Sequence, residues 1–335
     1  MKYLLPSCLL LMSAPALALN IVVTNDDSYD THNVQQLKIA LEDAGHQVLV
    51  SVPCAHQSGK GGSLGSILTS VPVHKLASDI DGVLSIDDTA ESPAGYCVGD
   101  TEADKAVKTF QDYKDGTPLQ ASAHGIYMAN QMWGSNPDLL ISGPNEGQNV
   151  GFAVFISGTL GAAHNAIIQG VPAIAVSAGS TPGSEADAVL HAQMVADITL
   201  DIVDQLEKKA RHGKPLLPPL TGLNINTPNY EMLADAEYKL TNVNWYFGSS
   251  IEWSNLGSAG GYGSYYGYTE AMGLYGLNFF PGQDKSGDTD ANSEGQAIAN
   301  GFIAISTIDA TENAPRTKVV QVARKLRELT RKHSH

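Results

Sequence analysis

Asp26 and Asp27 stand side by side where the apolar run Ile21-Val22-Val23 ends, and Asn25 precedes them. Ser58 and Asn145 each fall in a loop after a later predicted strand. Two carboxylates, a hydroxyl and an amide carbonyl are hard oxygen donors, a set that suits Mg²⁺, Mn²⁺ or Ca²⁺ rather than zinc or copper. No His or Cys cluster competes for a softer metal, and His32 and His56, in the same predicted loops, are expected only as outer neighbours. Ligands in open α/β sheets gather beyond the carboxyl ends of the strands. Taken alone, Ile21 to Asp27 fits a polar turn as well as a catalytic edge. Ser157-Gly158-Thr159 opens a predicted helix, where free backbone N–H groups suit an anion, although Ser is also an ordinary cap there.

The elements that must position these residues follow from periodicity. Val34, Leu37, Ala40, Leu41 and Ala44 form a helical stripe, with Asn33 expected as N-cap, Gln36 three residues on, and Gly45 as the stop. Gln47 to Val52 alternates as a second strand, which completes a unit of βαβ size. Leu139 to Ser142, a helix from Ser157 to Ile168 and Ala173 to Ser177 form a second such unit, with Gly170 and Pro172 between helix and strand. Short strands are expected at Val71–Lys75 and Gly82–Ile86, and Asp87 to Lys114 is expected as surface helix and loop. Glu185 to Lys208 reads as a long amphipathic helix. Leu223 to Asn226 and Gly301 to Ser306 read as strands, and Lys318 to Lys332 as a basic helix. The Gly/Ser-rich stretch 55–66 lacks the spacing of a phosphate-binding P-loop. Gly257 to Tyr275 is rich in Gly and Tyr, for which a surface hairpin is the simpler reading and a base-stacking loop the other.

The 335 residues carry a net charge of -15, with 43% hydrophobic composition. The length suffices for a sizeable core. Such an acidic chain is a poor partner for a nucleic-acid polymer. Residues 1–18 read as a signal peptide, with Lys2, an apolar core and Ala16-Leu17-Ala18 as cleavage site. Cys8 lies too close to Lys2 for a lipid-attachment site, and no later stretch suits a membrane span. The expectation is export, periplasmic or secreted, after cleavage near Ala18. Cys54 and Cys97 then remain. They could pair in an oxidising compartment, but two separate thiols are the simpler expectation.

Val22-Val23-Thr24-Asn25-Asp26-Asp27 resembles the N-terminal signature of the stationary-phase survival protein E (SurE) family. Pro53 to Gly59, Ser142 to Gly151, Ser157 to Ala163, Gly170 to Ser177 and Asn224 to Pro228 resemble further blocks of it, in the same order. Thr289-Asp290 and Gly301-Phe302-Ile303 are similar to its C-terminal landmarks. The resemblance implies an α/β fold, a Rossmann-like three-layer sandwich with a mostly parallel sheet, a C-terminal extended arm or hairpin region and a terminal helix. In those terms residues 19–235 are the catalytic core, 236–310 the Gly/Tyr-rich oligomerisation region with a returning strand, and 311–335 the helix.

It implies a metal-dependent phosphomonoesterase acting on nucleoside monophosphates, a 5'/3'-nucleotidase or acid phosphatase, in a homodimer or homotetramer. Carried over, Asp26, Asp27, Ser58 and Asn145 would hold Mg²⁺ or Mn²⁺, with Ca²⁺ as the third option. Asp26, Asp27 and Asn149 would be catalytic, and Asn25, Ser157, Gly158 and Thr159 would hold the phosphate. The chain departs from the family pattern at Ser28 and Asn33, where Gly is usual, and at Cys54-Ala55-His56, where charged residues are. Two rival readings share this site: a phosphatase for polyphosphate or another small ester, and an exported metal-binding protein without turnover.

Overall fold

The computed structural model describes residues 18–65, 68–109, 111–180, 183–210, 215–265, 267–311 and 316–325. The expected leader up to residue 17 and the end of the C-terminal helix lie outside these. The strands are β1 (Asn20–Thr24), β2 (Gln47–Pro53), β3 (Val73–Ser78), β4 (Leu84–Ile86), β5 (Gly95–Val98), β6 (Leu139–Glu146), β7 (Ala173–Ala178), β8 (Thr221–Asn226), β9 (Tyr238–Thr241), β10 (Ser249–Asn255), β11 (Tyr275–Pro281) and β12 (Ile303–Asp309). The α-helices are α1 (His32–Asp43), α2 (Glu102–Val107), α3 (Pro118–Trp133), α4 (Gly158–Ile168), α5 (Glu185–Lys209), α6 (Tyr230–Leu233), α7 (Tyr262–Tyr265), α8 (Glu294–Ala299) and α9 (Arg316–Lys325). No helix among the described residues is long and apolar enough to cross a membrane.

Ten strands form one sheet in the order β4-β3-β5-β2-β1-β6-β7-β8-β12-β9, and β10 and β11 form a separate hairpin. From β5 to β8 every pairing is parallel, while β12 joins β8 antiparallel. Alternation along the strands divides the core between two faces. Ile21 and Val23 of β1 pack with Leu37 and Leu41 of α1 and Val195 and Val203 of α5. Val22, between them, packs with Ile126 of α3 and Leu160 and Ile167 of α4. This is the expected α/β sandwich of three layers.

Several expectations need correction. α1 begins at His32 with Thr31 at the cap position, and the first i→i−4 bond runs from Gln35 N–H to the Thr31 carbonyl. Asn33 is therefore a buried residue of the first turn, not the N-cap. The stretch 87–114 is not all surface, because β5 pairs with β2 inside the sheet. That pairing sets Val52 opposite Cys97 and brings Cys54 to it. The two cysteines form a disulfide with a Cα–Cα distance of 4.8 Å, contrary to the expectation of separate thiols. Helix α3, which no periodicity had announced, carries a Thr117–Gln120 capping box and Pro118 in its first turn, and its buried face covers β1 and β2. The Gly/Tyr-rich stretch lies within the β10–β11 hairpin region, with α7 between the strands.

Candidate functional site

The chain leaves β1, adds β2 on one side, and later returns to add β6 on the other. The carboxyl ends of β1 and β6 thus flank the point where strand order reverses, the place where such sheets open a crevice for ligands. Asp26 and Asp27 follow β1 directly, and Asn145 sits at the end of β6. The β6–β7 register shifts between Ser142 and Asn145, so the strand end departs from the regular ladder where Asn145 sits.

Both carboxylates are buried, Asp26 at 2% and Asp27 at 3% exposure. The Asp26 Oδ1 accepts the Thr159 hydroxyl at 2.8 Å, and the Asp27 Oδ2 accepts the Glu146 N–H at 2.8 Å. The Asn145 amide donates to the Gly147 carbonyl at 2.6 Å, which leaves its Oδ1 as the remaining acceptor. Asn25 donates to the Ser28 carbonyl at 2.6 Å, and its own Oδ1 is buried with no partner.

The loop carrying Ser58 reaches the same place. The Gln57 N–H donates to the Asp26 carbonyl at 2.8 Å, and the Gly61 N–H to the Ile156 carbonyl at 3.0 Å. Ser58 is exposed within this loop. Helix α4 begins against the aspartates. Ser157 is its N-cap, its hydroxyl accepting the Leu160 N–H. That leaves the Gly158 and Thr159 N–H groups as first-turn donors. A Cβ on Gly158 would stand 2.8 Å from Asp26 Oδ2, so only glycine lets the helix approach this closely.

Asn149 is one step removed. Its amide donates to Ser177 Oγ at 2.9 Å and Thr159 Oγ1 at 3.3 Å, so it holds the residue that holds Asp26. Its backbone N–H is bonded by Asn226 Oδ1 at 2.8 Å. Sequence reasoning missed Ser177, Asn224 and Asn226. The signal was available, since Asn alternates with Leu and Ile in β8 on a strand buried on both faces.

Burial, and secondarily the neighbouring Asp27, pushes the Asp26 carboxyl up to about 7. No lysine or arginine among the described residues pairs with either aspartate. The basic group that faces them is His56, its Nδ1 3.8 Å from Asp27 Oδ1, and Asp27 raises the imidazole pKa. His32 instead pairs with Glu185 at 2.8 Å. Two adjacent buried carboxylates with no lysine or arginine among the described residues to pair them, and an unsatisfied Asn25 amide oxygen, fit a hard divalent cation. A second group, His46, Asp204 and Glu207, brings one ligand atom each within 4.8 Å of the others. There the Leu19 N–H donates to His46 Nδ1 at 3.2 Å, which keeps the imidazole proton on Nε2, the wrong protonation for a metal ligand.

With this geometry in place, comparison with known proteins is decisive at the level of family. The model of the "Survival protein SurE" family matches residues 21–247. The chain belongs to the SurE family. An acid phosphatase from Yarrowia lipolytica is 33% identical over 217 residues, 62% of this chain and 56% of that protein, so the match spans little more than half of that relative's length. A 5'-nucleotidase SurE from Picosynechococcus sp. is 30% identical over 68% of this chain and 70% of its own. The crystal structure of the SurE protein from Aquifex aeolicus superposes with a TM-score of 0.60 at 22% identity, covering 92% of this chain and 99% of that one. That likeness supports the fold.

Ser28 adopts φ 80°, the region glycine prefers, and the bond from Asn25 to its carbonyl holds it there. Serine in this turn therefore carries a backbone strain that glycine would not.

Proposed function

We propose that this SurE-family chain is an exported, divalent-cation-dependent phosphomonoesterase that hydrolyses nucleoside monophosphates. The observation that carries the reading is the meeting of two buried, unneutralised carboxylates with the first turn of α4. Asp26, Asp27, Ser58 and Asn145 would hold Mg²⁺ or Mn²⁺. Held there, such a cation would supply Lewis acidity toward a phosphoryl oxygen and toward the attacking water. The Gly158 and Thr159 N–H groups hold the remaining phosphoryl oxygens, donors set in place before charge builds on the phosphoryl group. The Thr159 hydroxyl keeps Asp26 in one orientation, and Asn25, bonded to the Ser28 carbonyl, would join the phosphate site.

The names of the relatives support the substrate class: 5'-nucleotidase SurE in one case and acid phosphatase in another. Export is supported by the leader pattern of residues 1–18 and by the Cys54–Cys97 disulfide, since such bonds persist in oxidising compartments. A homodimer or homotetramer is supported by the β10–β11 hairpin, which exposes Trp253, Tyr275 and Leu277. The test is turnover of p-nitrophenyl phosphate, 5'-AMP and short polyphosphate, each with Mn²⁺ and with EDTA. Activity on 5'-AMP that EDTA removes is expected. Phosphate release that is indifferent to EDTA, or metal binding with no release from any ester, would overturn the reading.

A further inference from the structure

A buried polar chain runs from Glu294 to Asp26. Glu294, at the start of α8, is completely buried. Its two carboxyl oxygens face the Asn224 amide at 3.1 and 3.0 Å. The same amide donates to the Asn149 carbonyl at 3.2 Å, and the Asn226 amide reaches that carbonyl too, also at 3.2 Å. From Asn149 the chain continues through Thr159 Oγ1 to Asp26 Oδ1. Residues from α8, β8, the loop after β6, α4 and the end of β1 are thus linked in series.

Glu294 contributes little to stability where it is. A carboxyl taken out of water is costly unless its charge is matched, and no basic side chain among the described residues pairs with it. Burial pushes its pKa up to about 8, against hydrogen bonds from Ser306, Asn224 and the Gly151 backbone. An apolar side chain of similar size would fill the space at lower cost. What it would not do is hold the Asn224 amide in a single orientation.

We propose that Glu294 is a positioning residue for the phosphoester site, fixing Asn224 so that Asn149 and Thr159 hold Asp26 in one orientation. The proposal rests on the phosphomonoesterase reading for its kinetic arm, while its metal-binding arm stands without turnover. Partners one bond behind a metal ligand change activity or metal affinity by about 10- to 100-fold when lost, and Glu294, three bonds behind Thr159, is set at the lower end of that range.

The experiment compares the full chain with Glu294→Leu, Glu294→Gln and Asn224→Leu. kcat and KM for 5'-AMP are measured, together with Mn²⁺ affinity by calorimetry and the thermal melt. Glu294→Leu is expected to lower kcat and Mn²⁺ affinity about tenfold while KM stays within about threefold. Glu294→Gln, which keeps an oxygen acceptor for Asn224, is expected to retain at least about half of both. The double variant Glu294→Leu/Asn224→Leu is expected to lose no more than the worse single variant, the mark of residues acting in series. Wild-type kcat and Mn²⁺ affinity in Glu294→Leu, or additive losses in the double variant, would overturn the proposal. Should Glu294→Leu fail to fold, Glu294→Asp draws the carboxyl away from Asn224 by one methylene, and wild-type behaviour there overturns the proposal equally. A wild-type chain that binds Mn²⁺ but releases no phosphate sinks the functional reading alone, and the Mn²⁺ affinities then decide the role of Glu294.

Discussion

The Thr159 hydroxyl donates to Asp26 Oδ1 at 2.8 Å across 133 residues of chain. This single bond ties the first turn of α4, which offers donors to a phosphate, to the acid that would hold the cation. On the proposed reading, phosphate and metal positions would be set relative to one another by the protein before either arrives. Thr159→Val keeps the shape of the side chain and removes the bond. It is expected to lower kcat on 5'-AMP about 10- to 100-fold, whereas Thr159→Ser retains most of it. Steady-state kinetics at saturating Mn²⁺ checks the pair, and equal activity in Thr159→Val would remove the hydroxyl from the mechanism.

Asp27 should show function and stability pulling in opposite directions. Without a cation, Asp27 adds a like charge beside buried Asp26. Asp27→Asn keeps an oxygen for the Glu146 N–H and removes that charge. In EDTA the variant is expected to be more stable than wild type by roughly 1 kcal/mol. With Mn²⁺ at a hundred times its Kd, wild type gains about 2.7 kcal/mol and the variant gains far less. Thermal melts with and without Mn²⁺ read both effects, and activity is expected to fall at least about a hundredfold.

The Cys54–Cys97 bridge closes a loop with a sequence separation of 43. Chain entropy alone assigns such a bridge about 4 kcal/mol. Its first cysteine also begins the loop that carries Ser58, and the Cys54 N–H is bonded to the Val98 carbonyl at 2.9 Å. Cys54→Ser/Cys97→Ser is therefore expected to lower the denaturation midpoint markedly and to weaken Mn²⁺ binding. Denaturant titration of oxidised, reduced and variant protein separates the two effects. A reduced form as stable as the oxidised one would contradict this.

Glu294 gives stability a pH dependence with a definite sign. Its pKa is raised from 4.5 to about 8 in the folded chain, so between those values the folded state keeps a proton that the unfolded state has released. Its contribution is full below about pH 4.5 and is lost as pH rises through about 8, a decline on the order of a few kcal/mol. Glu294→Gln has no such proton. Relative to wild type, the variant is expected to gain stability from pH 5 to about pH 8 and to level off above that, as read by urea midpoints across the range. Parallel curves for the two proteins would show that Glu294 stays ionised.

Much of this molecule was legible from residue order because local patterns were strong. Ile21 to Asp27 announced both a buried parallel strand and its acidic end, and Ser157 announced the start of α4, since an apolar run and a capping residue act over a few neighbours. The oxygen donors were nameable for the same reason, each following a strand. Other features had no local signature. β5 is four residues long, with Gly95 and Cys97 among them, and only its place beside β2 makes it a strand and brings the cysteines together. Helix α3 has a wide apolar face rich in Ala and Gly, which blunts periodicity. The series from Glu294 to Asp26 joins residues far apart in the chain. Short-range preferences thus determined which groups stand at the strand ends. The placement of β1 beside β6 in the middle of the sheet, which depends on long-range packing, decided that the strand ends carrying Asp26, Asp27 and Asn145 lie side by side.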